Sequence, residues 1–210
     1  PFVAHVTKVF FHYEEREFYA LARVYSGSVK RDQAVQVLGD NYSADSPEDA
    51  TAATVTGVGT GIGEHVVDME SFPACGVAGN LLLLKGVHGS IIKGATLYSA
   101  GTEAPSALSR GRRSRFDDDE EDGEEPSDIG ITIFKNPNYT TRSVMSVAIE
   151  PLKPTDLPKM VDGLRSLSKV SPSIYTRVEE SGEHVLFGTG ETCLDCALHD
   201  LRLVYAGIEI

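Results

Sequence analysis

A highly charged stretch divides this sequence into two parts that follow different patterns. Between residues 101 and 130, the sequence RGRRSRFDDDEEDGEEPSD places a cluster of arginines before nine acidic residues, eight of them between Asp117 and Glu125, with Phe116 as its only aromatic side chain. Such a stretch cannot bury enough apolar surface to offset the entropy lost on ordering, so a disordered linker is predicted there. The sequence therefore predicts two folded domains, residues 1–100 and residues 131–210, joined by a charged linker.

Short runs of alternating apolar residues, separated by glycine, aspartate and asparagine, fill residues 1–100. This spacing is typical of the strands of an antiparallel barrel or sandwich. The glycine-rich stretch from Gly57 to Gly63 is expected to be a loop between strands, because Ile62 and Glu64 stand where a dinucleotide-binding motif needs glycine. The predicted strands are Phe2–Phe11, Phe18–Tyr25, Ala34–Leu38, Thr51–Val58, Glu64–Asp68, Cys75–Lys85 and Ala95–Tyr98.

After residue 130 the pattern changes to alternating strands and helices. Apolar residues at helical spacing predict helices at Pro154–Val170 and Glu191–Tyr205. The order of elements is that of a ferredoxin-like βαββαβ domain whose last strand would begin at about Ile208, and the chain is expected to be a piece of a longer polypeptide. The predicted strands of this domain are Ser143–Glu150, Ser173–Glu179 and Glu183–Phe187.

Composition argues against several classes of protein. With 19 Lys and Arg against 31 Asp and Glu, the net charge of −12 disfavours nucleic-acid binding over the whole surface, so any RNA contact would have to be local. Three cysteines cannot form a disulfide framework, which favours a reducing compartment. The apolar runs are too short to span a bilayer, and no Gly-Lys pair of a Walker loop occurs, so neither a membrane span nor that route to a nucleotide is expected.

The string GTGE at residues 188–191 is the first candidate site. It stands at a strand-to-helix transition, where glycines permit a tight turn and free amides at a helix N-terminus can meet an anion. Alternatively, Thr189 or Glu191 only caps the helix, which is the commoner role. Glu183 and His184 precede this string, and the absence of a fixed nucleophile near them favours a structural histidine over a general base.

A cysteine pair and a serine are further candidate sites, and each has a simpler structural interpretation. Cys193 and Cys196 have the spacing of a metal or redox motif, but no second Cys/His pair completes a zinc site, and helical spacing favours two small half-buried residues without a metal. Ser114 stands three residues before Asp117, a pattern that acidophilic kinases favour, and is a candidate phosphosite. The alternative for that segment is a charged, solvated spacer.

Three strings carry a resemblance to a known family: residues 21–42, residues 72–97 and residues 147–191, in which ESGEH is followed by GTGE. Together they resemble the second and third domains of the elongation factor 2 superfamily of large GTPases. The strings VEESGEHV and LDCALHDLR are most similar to its spliceosomal member, the GTPase of the tri-snRNP. The resemblance implies a translation-factor-type antiparallel β-barrel, then a ferredoxin-like βαββαβ domain lacking its last strand, with a GTP-binding domain preceding Pro1.

The resemblance also implies a function, as the middle domains of a regulator of spliceosome activation and disassembly in pre-mRNA splicing. GTP would bind in the missing domain, so no catalytic or cofactor-binding residue is expected in this fragment, and whether the full-length protein hydrolyses GTP stays open. The implied partners are the scaffold protein and the helicase of the tri-snRNP, snRNA and the protein's own GTP-binding domain, and the implied location is the nucleus. Interdomain or partner contacts are expected at Glu183, His184, Gly188, Thr189, Gly190 and Glu191.

Two other functions are weighed against this one. The same domains in a ribosomal translocase of the elongation factor 2 type would contact the ribosome in the cytoplasm. An independent hydrolase of acyl phosphates would use an arginine and an asparagine near a phosphate loop, but Arg142 and Asn138 lie before the first strand of the second domain and outside any such loop pattern.

Overall fold

The protein folds into two units, seen in a computed structural model. The first unit is built from strands, and the second combines strands with two helices. The predicted linker, with Ser114 and the acidic run, and Cys75 lie outside the residues that the structure describes. The described residues are 1–42, 49–63, 65–68, 76–99, 133–135 and 142–210.

The first unit is an antiparallel sheet of eight strands around one apolar core. The strands are β1 (Val3–His12), β2 (Glu17–Ser26), β3 (Gln33–Leu38), β4 (Ala50–Val55), β5 (Gly57–Ile62), β6 (His65–Asp68), β7 (Leu81–Lys85) and β8 (Ala95–Ser99). They are hydrogen-bonded in the order β4-β3-β8-β1-β2-β7-β5-β6. Alternate residues of β1 and β7 face the core, as Ala4 and Val6 of β1 and Leu82 and Leu84 of β7 do.

The sheet curls back on itself as a barrel. Strands β4 and β5 lie towards opposite ends of the hydrogen-bonding order, yet only Thr56 separates them in the sequence. The amide of Thr56 donates to the carbonyl oxygen of Lys85 at 3.0 Å, and the amide of Asp32 donates to that of Val55 at 2.7 Å. One continuous stretch of chain thus joins the two ends of the sheet, and the predicted antiparallel β-barrel is confirmed.

The glycine-rich stretch lies in strand β5, so the prediction of a loop between strands was wrong. Gly59 pairs with Asp68 of β6 on one side and with Leu83 of β7 on the other. A Cβ atom at Gly59 would lie 3.1 Å from the carbonyl oxygen of Val67, which is tighter than ordinary van der Waals contact. Glycine is needed here because the neighbouring backbone approaches closely, a common reason for glycine inside a strand.

The second unit is a three-stranded antiparallel sheet with two helices against one face. The elements are β9 (Met145–Ile149), α1 (Leu157–Val170), β10 (Tyr175–Val178), β11 (His184–Gly188) and α2 (Glu191–Asp200). A 3-10 turn at Pro154–Asp156 leads into α1, and a π-helical turn at Leu201–Tyr205 follows α2. The strand order β10-β11-β9 and the chain order βαββα agree with the predicted ferredoxin-like arrangement, and the described residues up to Ile210 add no further strand.

A compact apolar core joins the helices to this sheet. Ile149 and Leu186 from the strands are almost fully buried against the helices. The helices come close together at Gly163, where a Cβ atom would lie 2.9 Å from side-chain atoms of Leu201 and Ala206. The helical members of this core include Met160, Leu164, Leu167, Leu194, Ala197 and Leu201. Among the described residues no helix is long and apolar enough to cross a membrane.

Candidate functional site

The string GTGE begins at the end of strand β11. The carbonyl oxygen of Gly188 accepts a hydrogen bond from the amide of Val144 at 3.1 Å. A Cβ atom at Gly188 would lie 2.7 Å from Cδ2 of Leu194, which is buried in α2. Gly188 is therefore the residue that lets α2 pack directly against the sheet.

The remaining residues of the string form the start of α2. Gly190 is the N-cap, and its carbonyl oxygen accepts the amide of Leu194 at 3.1 Å. No side chain makes a capping hydrogen bond, so the alternative in which Thr189 or Glu191 caps the helix through its side chain was wrong. Glu191 is exposed in the first turn, where its charge is favourable beside the positive end of the helix dipole.

Glu183 and His184 lie at the other end of strand β11. The carboxylate of Glu183 accepts the hydroxyl of Ser181 at 3.2 Å, and its carbonyl oxygen accepts the amide of Glu179 at 3.0 Å. His184 is half-buried and pairs with Ile149 in the sheet. Four residue steps separate His184 from Gly188, a distance of about 13 Å along an extended strand. The six predicted contact residues thus occupy the two ends of one strand rather than a single cluster.

A contact between the two units, which the sequence analysis did not predict, involves Lys93 of the barrel. Lys93 lies between β7 and β8 and is half-buried. Its ammonium group donates to the carbonyl oxygens of Pro172 at 2.9 Å and Ile174 at 3.1 Å, both just after α1. Burial lowers the pKa of Lys93 because it removes water from the ammonium group, and the two carbonyl oxygens take the place of that water.

Lys169 makes the reverse connection from the second unit to the barrel. It stands in the last turn of α1, and its ammonium group donates to the carbonyl oxygens of His88 and Gly89, each at 3.0 Å. Burial, and then the nearby charge of Arg165, lower the pKa of Lys169. Lys93 and Lys169 each reach from one unit to backbone oxygens of the other, and we call this pair the lysine clamp.

An aromatic cluster lies beside the lysine clamp. The ring of Tyr205, in the π-helical turn, lies 5.5 Å from that of Phe11 and 6.4 Å from that of Phe18. Phe18 also stacks on His88 at 5.1 Å, next to the carbonyl oxygen that Lys169 binds. Burial raises the pKa of Tyr205 to about 12. We call Phe11, Phe18, His88 and Tyr205 the aromatic seam.

Phe134 is held by the barrel, although it precedes the second unit in the sequence. Its ring stacks on Tyr25 at 4.7 Å and on His5 at 5.1 Å. Its amide donates at 2.9 Å to the hydroxyl of Thr96, a fully buried polar residue that needs such a partner. The chain therefore returns to the barrel surface before it enters the second unit.

The two cysteines of α2 differ in exposure. Cys193 is half-buried as predicted, but Cys196 is exposed, because helix α2 presents that position to solvent. In the part of the chain that the structure describes, no three His, Cys, Asp or Glu side chains lie close enough together to hold a metal ion.

Residues 140–207, which include almost all of the second unit, match the family model of elongation factor G, domain III. The second unit is similar to that family over nearly its whole length. The matched residues contain the βαββα order of elements and the packing of α2 on the sheet at Gly188. The predicted resemblance to the elongation factor 2 superfamily is thereby confirmed.

The whole chain is also similar to named splicing proteins. Pre-mRNA-splicing factor cwf10 of Schizosaccharomyces pombe is 40% identical over 210 residues, all of this chain. The 110 kDa U5 small nuclear ribonucleoprotein component CLO of Arabidopsis thaliana is 36% identical over the same length. Pre-mRNA-splicing factor SNU114 of Saccharomyces cerevisiae is 33% identical and covers 91% of the chain. In each case the match spans only 18% of the relative's own length.

Proposed function

We propose that this chain forms the middle of a spliceosomal GTPase of the elongation factor 2 type, which regulates spliceosome activation and disassembly in the nucleus. In this proposal GTP binds to a domain outside the chain, and the two units transmit the nucleotide state to a scaffold protein, a helicase and snRNA. The support is the similarity over the whole chain to proteins named as splicing factors and U5 ribonucleoprotein components.

The observation that supports the transmission part of the proposal is the lysine clamp. A relay needs two units that move together, and the clamp connects them in both directions through charged groups bonded to backbone oxygens. Sliding one unit over the other would leave half-buried ammonium and carbonyl groups unpaired, at a cost of about 1–3 kcal/mol for each group. The barrel and the second unit therefore suit the rigid-body transmission of a change that begins in a neighbouring domain.

The division of the chain into domains at residues 1–100 and 131–210, with a linker at residues 101–130, is part of the same proposal. So is the assignment of a partner contact to Glu183, His184 and the residues of the GTGE string. Ser114 is proposed as a phosphosite in the linker, and mass spectrometry that finds it unmodified in cells would remove that assignment.

Affinity purification of the tagged full-length protein tests the proposal. We expect it to recover U5 snRNA and spliceosomal proteins, and recovery of ribosomal subunits instead would favour the translocase alternative. A second experiment introduces Lys93→Met and Lys169→Met together into the full-length protein. We expect GTP binding to persist while splicing in extract falls, and the exposed Lys159→Met serves as the control. Normal splicing by the variant with both lysines replaced would contradict the proposal that the two units transmit the nucleotide state together.

A further inference from the structure

One face of the second unit's sheet is turned away from both helices. Residues alternate between the two faces of a strand, and directly paired residues of neighbouring strands share a face. Ile149 of β9 and Leu186 of β11 point to the helices. The residues directly before and after Leu186, and the residues paired with them, therefore point the other way. We call this surface the open face; it includes Tyr175, Arg177, Val185, Phe187, Ser146 and Ala148.

An aromatic pair occupies one end of the open face. Tyr175 is 45% exposed and pairs with Phe187, with nearly parallel rings whose centroids are 4.9 Å apart. The hydroxyl of Tyr175 is fixed by that of Ser143 at 2.6 Å, so its ring orientation is held in advance. On β9, the residue paired with Phe187 is Ser146. Because the Ser146 side chain is small, it leaves room beside the Phe187 ring on that side.

Glutamates occupy the other end of the open face. Glu179 and Glu183 continue the same alternation and are joined through their backbones at 3.0 Å, and Glu150 follows β9 in the same register. Arg177 lies between the aromatic and acidic ends, and its Nε atom is 3.8 Å from Oε1 of Glu179, a loose pair of exposed groups. Three carboxylates against one guanidinium leave this end of the face acidic.

The combination of flat aromatic rings and carboxylates favours a planar cation. A guanidinium group stacks on aromatic rings and pairs with carboxylates through two parallel hydrogen bonds, and a lysine ammonium does neither as well. A nucleic acid would bring phosphates next to the glutamates of a chain whose net charge is −12. Four residue steps separate Tyr175 from Glu179, about 13 Å along an extended strand, and the same distance separates two arginines four positions apart in an extended segment.

We propose that the open face binds an extended, arginine-rich segment of a partner protein. One arginine of this segment stacks on Tyr175 and Phe187, and another pairs with the glutamates at the hairpin end. The proposal goes beyond the relay function and does not depend on it, because it is tested by peptide binding alone. One bond of the lysine clamp ends on the carbonyl oxygen of Ile174, next to Tyr175, but the proposal uses only the side chains of the open face.

Fluorescence anisotropy with a labelled twelve-residue peptide of alternating alanine and arginine tests this proposal on the whole chain at physiological salt. We expect this peptide to bind more tightly than its alanine-lysine counterpart of equal charge. Tyr175→Leu and Phe187→Leu should weaken the arginine peptide by roughly 3- to 30-fold, the range of a cation–π contact. Glu179→Gln with Glu183→Gln should weaken both peptides. Equal binding of the two peptides by the unchanged chain would overturn the proposal.

Matched controls separate this surface from the rest of the acidic chain. Tyr13→Leu and Glu14→Gln change exposed residues of the barrel and should leave binding unchanged. Replacement of the eight acidic residues between Asp117 and Glu125 by their amides should preserve the preference for the arginine peptide. If this variant loses the preference, the peptide binds to those acidic residues and the proposal is overturned. Thermal melting of each variant shows whether it is folded, and the exposed Tyr175→Leu keeps the test decisive if Phe187→Leu unfolds. Binding of a single-stranded RNA 12-mer that Tyr175→Leu abolishes would overturn the proposal in favour of RNA.

Discussion

The ammonium group of Lys93 lies 2.9 Å from the carbonyl oxygen of Pro172, although 79 positions separate the two residues in the sequence. The bond joins a loop of the barrel to the segment that follows α1. Together with Lys169, whose ammonium group binds backbone oxygens of the barrel, it connects the two units in both directions.

Removal of the lysine clamp should loosen the junction. We expect Lys93→Met and Lys169→Met each to lower the free energy of unfolding by about 1 kcal/mol, because backbone carbonyl oxygens lose a charged donor in a half-buried position. Denaturant unfolding of the purified chain measures the free energy of unfolding. In calorimetry, we expect the two units of the parent chain to unfold together and those of the double variant to unfold in a broader or split transition. Lys159→Met removes an exposed pair with Asp156 and should cost less than about 0.5 kcal/mol. Equal effects of all three changes would contradict a special role for the clamp.

The aromatic seam should depend on the ring of Tyr205 more than on its hydroxyl group. Tyr205→Ala removes a half-buried ring that contacts Phe11 and Phe18, and it should lower the free energy of unfolding by about 2–3 kcal/mol. Tyr205→Phe keeps the ring and should stay within about 0.5 kcal/mol of the parent chain. The two variants are compared by urea unfolding at neutral pH, and a similar loss in both would show that the hydroxyl group matters instead.

The two glycines of the GTGE string should respond differently to alanine. Gly188→Ala places a methyl group 2.7 Å from the buried side chain of Leu194, so we expect a loss of about 1–3 kcal/mol. Gly190 has an extended backbone, with φ at 176°, and nothing within 4 Å of a Cβ atom, so Gly190→Ala should cost less than about 1 kcal/mol. Thermal melting of both variants measures the difference, and equal melting temperatures would contradict the close packing of α2 on the sheet.

The ion pairs around Lys85 should make the barrel sensitive to acid. Burial alone would lower the pKa of Lys85, but hydrogen bonds to Glu15, Tyr19 and Glu17 raise it above its ordinary value. The pKa of Glu15 is lowered from 4.5, first by its hydrogen bond from Lys85 and then by that from Tyr19. A carboxyl group whose pKa is lower in the folded state stabilises the fold above pH 4.5, and that contribution disappears as the pH falls through the folded value.

Glu15→Gln should therefore flatten the loss of stability below pH 4.5. Urea unfolding between pH 3 and pH 6 compares this variant with the parent chain and with the neighbouring Glu14→Gln, which changes an exposed residue. Parallel pH curves for the parent chain and Glu15→Gln would show that this carboxylate contributes nothing to acid sensitivity.

Local patterns predicted the elements of this protein better than their contacts. The helical spacing of apolar residues in Pro154–Val170 identified α1 to within three residues, because the stripe of buried side chains follows the period of the helix. The glycines of β5 were wrongly predicted to form a loop, since glycine is used both in turns and where neighbouring strands approach closely. Similarly, in the described part of the predicted strand Cys75–Lys85 the strand begins only at Leu81, because Gly79 adopts a φ of 98° just before it.

Contacts between the units could not be predicted from local patterns. A lysine that donates to buried backbone oxygens cannot be distinguished in the sequence from a solvent-exposed lysine. The sequence therefore did not indicate that Lys93 or Lys169 would connect the two units. The predicted helix Glu191–Tyr205 includes Tyr205, but its helical spacing indicated neither the π-helical turn at Leu201–Tyr205 nor the contact of the Tyr205 ring with Phe11 of the barrel. The GTGE string was noticed because its residue types are unusual, and its packing role at Gly188 needed the position of Leu194.

The hydrogen bond between Phe134 and Thr96 has a consequence for how this protein can evolve. The chain leaves the barrel at Ser99, the end of β8, and returns to it at Phe134. The number of residues between these two positions therefore does not determine where the second unit lies. Closing a longer connection costs little, about 0.6 kcal/mol for each doubling of its length. New residues can therefore accumulate between Ser99 and Phe134 while the geometry of the lysine clamp is inherited unchanged.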